Sequence, residues 1–261
     1  MLGVTVDDIS NASGVVSSLA LLKNPVTRVV FDRQESASYY TQAIKQFDAV
    51  GYTMGELLDS SDIGSVSVSS VLTRTNQYLS TLGSSVDVWE IGNEVNGEWL
   101  GSDVPAKIHE SFSAVKAAGG KTEMTLYYEP PQTVTPGYDM IPWEENTANV
   151  PSDMHAGLDY VLVSYYETDN NGIRPTQAQW NVLFSQLAAD FPNAQIGFGE
   201  IGMDNPATSS NLSQAENIMQ YYYGLQFPAI PRFVGGDFWW YFAEDCVPTS
   251  KPLLTELESY N

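Results

Sequence analysis

Eight times along the 261 residues, a short apolar, β-branched run gives way to a polar or glycine-bearing loop and then to a helix-length amphipathic segment. Such alternation is the pattern of repeated strand–helix units around a parallel sheet. Strands are read at residues 2–6, 27–31, 52–57, 86–92, 123–128, 160–165, 195–199 and 233–240. Between them, residues 36–50, 69–82, 104–118 and 177–189 carry apolar side chains at spacings of three and four, so each buries one helical face against the sheet. Asn24-Pro25, Gly119-Gly120 and Phe191-Pro192-Asn193 stand where helices should stop and the chain should turn toward the next strand. An open doubly wound sheet would also alternate in this way. Eight units, with no Gly-x-Gly-x-x-Gly after the first strand, favour closure into a single (β/α)8 TIM barrel. Barrels of this kind take about 250 residues, and no linker or low-complexity block interrupts the chain, so residues 1–261 are read as one domain.

Hydrophobic residues make up 43% of the chain, enough for a large core and against disorder. Eleven Lys and Arg face 32 Asp and Glu, a formal charge of −21, which argues against nucleic acid or an anionic membrane as a partner. The lone cysteine, Cys246, excludes an internal disulfide and a cysteine zinc cluster and is read as a packed thiol. His109 and His155 lack neighbouring ligand spacing, so neither a metal nor any other cofactor is expected. The N-terminus shows no signal-peptide pattern and no run is long enough to span a bilayer. Few lysines, many small polar residues and Asn-x-Ser sequons at Asn11 and Asn211 fit an exported protein, and secretion is the expectation.

In a closed barrel of βα units, chemistry belongs at the C-terminal ends of the strands. The fourth strand ends in Trp89-Glu90-Ile91-Gly92-Asn93-Glu94-Val95-Asn96-Gly97-Glu98-Trp99, the seventh in Gly197-Phe198-Gly199-Glu200-Ile201-Gly202-Met203. Each puts a carboxylate at a strand tip, and strands four and seven face each other across a barrel. Retaining glycoside hydrolysis needs two carboxyls roughly 5 to 5.5 Å apart, one ionised to attack the anomeric carbon and one protonated to release the leaving oxygen. The arrangement resembles the large clan of retaining β-glycosidases on the (β/α)8 barrel, whose mark is an Asn-Glu pair after strand four and a Glu after strand seven. That resemblance extends in layout over nearly the whole chain. It implies Glu94 as acid/base, Asn93 as the partner of the sugar 2-hydroxyl, and Glu200 as nucleophile.

Aromatic residues at two further tips strengthen the resemblance. Ser164-Tyr165-Tyr166 follows strand six, where the clan has a tyrosine that hydrogen-bonds the nucleophile; Tyr166 shares a face with Ser164 and Leu162 and is favoured over Tyr165. Phe238-Trp239-Trp240 ends strand eight, where the clan floors the attacked sugar with a tryptophan, and Trp239 and Trp240 both stay candidates. Arg28 matches the arginine that many members place beneath the nucleophile, where a fixed cation keeps it ionised; pairing with Glu90, which shares the inward parity of Glu94, is the alternative. Trp99 and Tyr128, with Tyr127 and Trp143, sit in or beside loops where sugar faces could stack, and Trp180 is read as packing a helix. Asp7, Glu56 and Glu129 are read as solvated loop acids or, at most, substrate hydrogen-bonders. Ser164 departs from the histidine of many members.

The expected activity is endo-type hydrolysis of a β-glucan, xylan, mannan or galactan by a monomer acting on an oligo- or polysaccharide, with no nucleic-acid or membrane partner. A barrel that binds carbohydrate without cleaving it is the alternative, and a metal-dependent hydrolase lacks the histidines it would need.

Overall fold

The computed structural model describes residues 1–203 and 205–261. Eight parallel strands close into a barrel in sequence order: β1 (Leu2–Val6), β2 (Val26–Val30), β3 (Tyr52–Glu56), β4 (Val88–Glu90), β5 (Lys121–Tyr127), β6 (Tyr160–Tyr165), β7 (Gln195–Ile201) and β8 (Phe233–Trp239). All eight runs read from the sequence are strands, with ends displaced by up to two residues. β4 is the shortest because the chain peels into its loop after Glu90, although Ile91 N–H still bonds to the Glu123 carbonyl at 2.9 Å. β7 runs on to Ile201 through a register shift opposite Val163 and Ser164.

Helices at Ala37–Asp48, Val68–Leu82, Val104–Ala117 and Gln177–Asp190 occupy the four predicted segments. Helix Val68–Leu82 shows why: Ser67 caps its first turn, and Val71, Thr75, Tyr78 and Leu82 recur every three or four residues on its buried face. Thr176 and Gln179 close a reciprocal capping box at the start of helix Gln177–Asp190.

Strand alternation sorts side chains into two layers. Outward residues such as Val4, Val29, Trp89, Met124, Leu126, Val163, Ile196 and Phe198 pack under the helices in a continuous apolar shell. Each such side chain fully buried stabilises the fold by about 1.5–3 kcal/mol. Inside the barrel, Val26, Met54, Val88, Leu162 and Phe238 plug the lower part. Above that plug the interior turns polar, with Arg28, Glu56, Glu90, Glu123, Thr125 and Ser164 all buried.

The tips of β2 and β3 are tied down by Arg74, whose guanidinium donates to the carbonyls of Phe31, Asp32 and Leu57 at 2.6–2.9 Å. Cys246 is buried and free, as the sequence suggests.

Candidate active site

Arg28 stands on β2 and is fully buried. Its Nε and Nη2 fork onto Glu90 at 2.6 and 2.9 Å, its Nη1 donates to Glu200 at 2.7 Å, and Nη2 lies 3.0 Å from Glu56. The two sequence alternatives for Arg28 are therefore realised together. Burial works against the guanidinium charge, but Glu56, Glu90 and Glu200 outweigh it and hold the group firmly protonated. Glu56 is thus no solvated loop acid. It ends β3 inside the barrel, fully buried, because its inward parity leaves it no route to solvent.

Glu200 enters the interior through a distortion. Gly199 faces inward, since a Cβ there would meet Leu162 and Thr125, and simple alternation would turn the next residue outward. The register shift between β6 and β7 inserts an extra residue and aims Glu200 inward as well. Its Oε1 accepts from the Tyr166 hydroxyl at 2.6 Å and its Oε2 from Arg28. Glu94 sits four residues past β4 with φ +50°, a left-handed conformation costly for a residue with a Cβ and found where a side chain must be aimed. Its Oε1 accepts from Ser164 at 2.6 Å and its Oε2 from Ser60 at 2.9 Å.

Both carboxyls open on one cleft of about 250 Å³, lined also by Asp59, Ser60, Asn93, Tyr166, Asp169, Met203, Trp240 and Tyr241. Burial is the largest influence on each. It pushes Glu200 up to about 8, with Glu94 adding to the rise and Arg28 and Tyr166 opposing it. It also lifts Glu94 above the usual carboxylate range, against the hydroxyls of Ser164 and Ser60. Two such carboxyls in one cleft influence each other's protonation.

A proton on the Oε2 of Glu200 would meet a guanidinium that can only donate, whereas both oxygens of Glu94, like Oε1 of Glu200, face hydroxyls that can turn and accept. The pair can therefore present one anion and one acid to the same ligand. Asn93 is buried beside them, and its Oδ1 has no partner among the described residues, leaving an acceptor free for a hydroxyl.

The aromatic residues divide between the cleft and the outer shell. Trp240 lines the cleft with its ring 5.5 Å from the Arg28 guanidinium carbon. Trp239 is fully buried on the other side of β8, its indole N–H donating to Asp245 at 2.8 Å, so it is removed from the candidate floor. Tyr165 is also corrected: it points into the shell, bonds to the Ile173 carbonyl and packs on Tyr128 and Trp180. Tyr128 belongs to that same outer cluster and leaves the candidate site.

Tyr127, which continues the inward parity of Glu123 and Thr125, stacks edge-on with the half-exposed Trp99 at 5.4 Å. Trp143 is buried on helix Met140–Glu145 and Trp180 on helix Gln177–Asp190. Asp7 and Glu129 are partly buried at their strand tips and touch neither candidate carboxyl in any described hydrogen bond. Sequence reading missed Ser60, which opens the short helix Ser60–Ile63 after β3, and Glu123. The signal for Glu123 was a charged residue two positions before an inward threonine within a predicted strand. Among the described residues no group of three or more His, Cys, Asp or Glu is arranged to hold a metal ion.

No known family profile and no curated protein sequence matches the chain. Solved structures share its fold. A family 1 β-glucosidase from Thermotoga maritima superposes on 88% of this chain and 75% of its own, with a TM-score of 0.58 and 10% identity. An intracellular xylanase from Thermoanaerobacterium saccharolyticum matches 92% of this chain and 85% of its own, at TM-score 0.58 and 12% identity. A family 128 endo-β-1,3-glucanase from Amycolatopsis mediterranei, in complex with laminaripentaose, matches 99% and 98% at TM-score 0.58 and 8% identity. At such identities the likeness establishes the barrel.

Proposed function

We propose that the chain is a retaining glycoside hydrolase acting on a β-glycan, with Glu200 as nucleophile and Glu94 as acid/base. The observation that carries this reading is the unequal support of two buried carboxyls in one cleft. Glu200 is held by a cation and a phenol that favour its anion, while Glu94 is held by two reversible hydroxyls and can carry a proton.

In the first step Glu200 attacks the anomeric carbon while Glu94 gives its proton to the departing glycosidic oxygen. The ester so formed removes the charge of Glu200, which lowers the proton affinity of Glu94. Glu94 then takes a proton from water as that water attacks the anomeric carbon and frees Glu200. Asn93 offers its unpartnered oxygen to a sugar hydroxyl, and Trp240 offers a face to the ring of the attacked sugar.

The β-glucosidase, xylanase and endo-glucanase among the structural neighbours support a glycan substrate. The exposed Trp99 beside Tyr127 supports a binding surface longer than one sugar, as an endo-acting enzyme would use. A polymeric substrate and the acidic composition support secretion, which fractionation of a native culture would test.

The decisive experiment measures reducing-sugar release from β-glucan, xylan, mannan and galactan, and follows the anomeric form of the first product by NMR. Wild type should release the β-anomer from one polymer. Glu200→Ala should abolish release, and Glu94→Ala should cut it severely. Activity that survives Glu200→Ala, or an α-anomer as first product, would overturn the assignment. Binding of a polymer with no cleavage would move the reading to a binding-only barrel.

A further inference from the structure

Beneath the cleft, one cation serves four buried carboxyls. Arg28 pairs with Glu56, Glu90 and Glu200, and Glu123 lies within the same polar layer, all three structural glutamates being fully buried. Four anions around one guanidinium would leave a large uncompensated charge in a low-dielectric interior, so part of the layer must be neutral. The hydrogen bonds indicate which part.

The Thr125 hydroxyl lies 2.8 Å from Glu90 Oε1 and 3.0 Å from Glu123 Oε1. A hydroxyl has a single proton to give. If both glutamates were anions, one of those two contacts would be oxygen against oxygen with no hydrogen between them. Glu90 already accepts twice from Arg28, which marks it as the anion, and among the described residues Glu123 has no cation within bonding distance. The remaining oxygen of Glu123 is buried with no described partner, a poor setting for a carboxylate.

We propose that Glu123 is a neutral carboxylic acid whose proton is donated to Thr125, which donates in turn to Glu90, and that this chain positions the charge of Arg28 for the nucleophile. The role in catalysis rests on the glycosidase reading, whereas the protonation of Glu123 does not. Glu90, supported from one side by Thr125, makes less demand on Arg28 and leaves more of the guanidinium to Glu200. When Glu200 becomes an ester and loses its charge, Glu90 remains as the counter-charge of Arg28, so the buried cation is never left unpaired. Glu123, Thr125 and Glu90 touch neither substrate nor reacting atoms and act through Arg28.

The groups that bear on Glu123 are Glu90 from β4, Arg28 from β2, Glu200 from β7 and its register partner Tyr160 on β6. Burial raises Glu123 well above the ordinary carboxylate range, Glu90 adds to the rise, and Arg28 and Thr125 only partly oppose it, in keeping with the geometry.

Two measurements test this. The first needs no substrate: infrared spectra of wild type and Glu123→Gln at neutral pH, with the ¹³C carboxyl resonances of glutamate-labelled wild type followed through a pH titration. The protonated-carboxyl band of wild type should lose intensity in Glu123→Gln with no loss of carboxylate band, and glutamate resonances still protonated at neutral pH are expected. Loss of a carboxylate band instead, or a protonated-carboxyl band unchanged in Glu123→Gln, would overturn the proposal even if the glycosidase reading stands.

The second is the pH dependence of kcat/KM. Thr125→Val leaves Glu90 to draw harder on Arg28, and should move the acid limb upward by about one pH unit, the size of one hydrogen bond to a charged group. Glu123→Ala should move it in the same direction, and Glu123→Gln, whose amide N–H can still donate to Thr125, should return it toward wild type. A merely structural role would lower activity evenly at all pH values. An acid limb moved downward by Glu123→Gln would show that a charge had been removed and would overturn the chain.

Discussion

The two faces of the barrel wall solve opposite problems. On the outer face, Phe198 meets Trp180, Phe184, Tyr222, Phe227 and Phe233 through edge-on and tilted ring contacts with centroids 4.9–6.5 Å apart. On the inner face, less than the thickness of a strand away, Arg28 holds three carboxylates and Thr125 bridges two. The shell gains from non-directional area burial, and no single residue in it decides the outcome. The interior is directional, and each member matters because a buried polar group that loses its partner costs more than the bond was worth. Stability is therefore spread over the shell, while the ionisation of Glu200 is governed by a handful of bonds.

Replacing Arg28 with Met should produce the largest effect. It leaves the buried carboxyls with no cation, and breaking a buried ion pair by removing one partner costs about 3–5 kcal/mol. Urea unfolding at neutral pH should show a loss of that size or a failure to fold. The deficit should shrink as pH falls and the carboxyls take up protons. A loss that is small and independent of pH would mean that the interior is not organised around this cation. Phe198→Ala, in the shell, should cost a comparable ~3–5 kcal/mol through its cavity. Its effect should differ in kind, lowering stability at all pH values while leaving the pH dependence of any activity in place. A moved pH profile in Phe198→Ala would break the division between the two faces.

The same division explains how much was legible beforehand. The shell and the strand count follow from periodicity, since apolar residues at every second position of a strand must face the helices. Parity also selected Tyr166 over Tyr165, and the structure places Tyr166 on Glu200. Parity fails at Glu200 itself. Gly199 faces inward, and only the shift in register between β6 and β7 turns the next residue inward too; it was the resemblance to known glycosidases that pointed to Glu200.

Trp239 and Trp240 could not be separated by type, because both are large aromatics at one strand end, and it took Asp245 as a buried acceptor to fix Trp239 in the shell. Tyr127 and Tyr128 were read together, although parity with Thr125 turns only Tyr127 inward. Beyond the Arg28–Glu90 pair, the polar layer went unread for another reason. Glu56, Glu90 and Glu123 lie on separate strands, and only barrel closure brings them into one layer, the first two on Arg28 and the third on Thr125.

Tyr166→Phe should have a smaller, sharper effect than either substitution above. The hydroxyl favours the anion of Glu200, so its loss raises the proton affinity of that carboxyl further. Activity should fall first on the acid side, with kcat/KM lower by about tenfold to a hundredfold there, the range for one hydrogen bond to a charged group. Stability should change little. An even fall across all pH values would mean that Tyr166 serves substrate geometry and not the protonation of the nucleophile.

An effect confined to high pH is expected at Glu144, a fully buried carboxyl on helix Met140–Glu145, outside the barrel. Burial first, then Asp190 and Glu145, push it up to about 9, and His155 stands 3.7 Å away without reversing the shift. A carboxyl whose folded pKa is raised favours the folded state most below its ordinary value of 4.5, and that contribution is lost as pH climbs toward 9. Glu144→Gln, which keeps the shape and carries no charge, should therefore be indistinguishable from wild type in melting temperature at low pH. It should become progressively more stable than wild type as pH rises through that window. If the two melting curves stay parallel up to pH 9, Glu144 is already compensated, and isolated charge outside the barrel is tolerated for the same reason as inside it. If they diverge, the contrast sharpens: the barrel interior carries its acids because Arg28 and Thr125 organise them, and the outer layer destabilises the fold for each one it buries without such support.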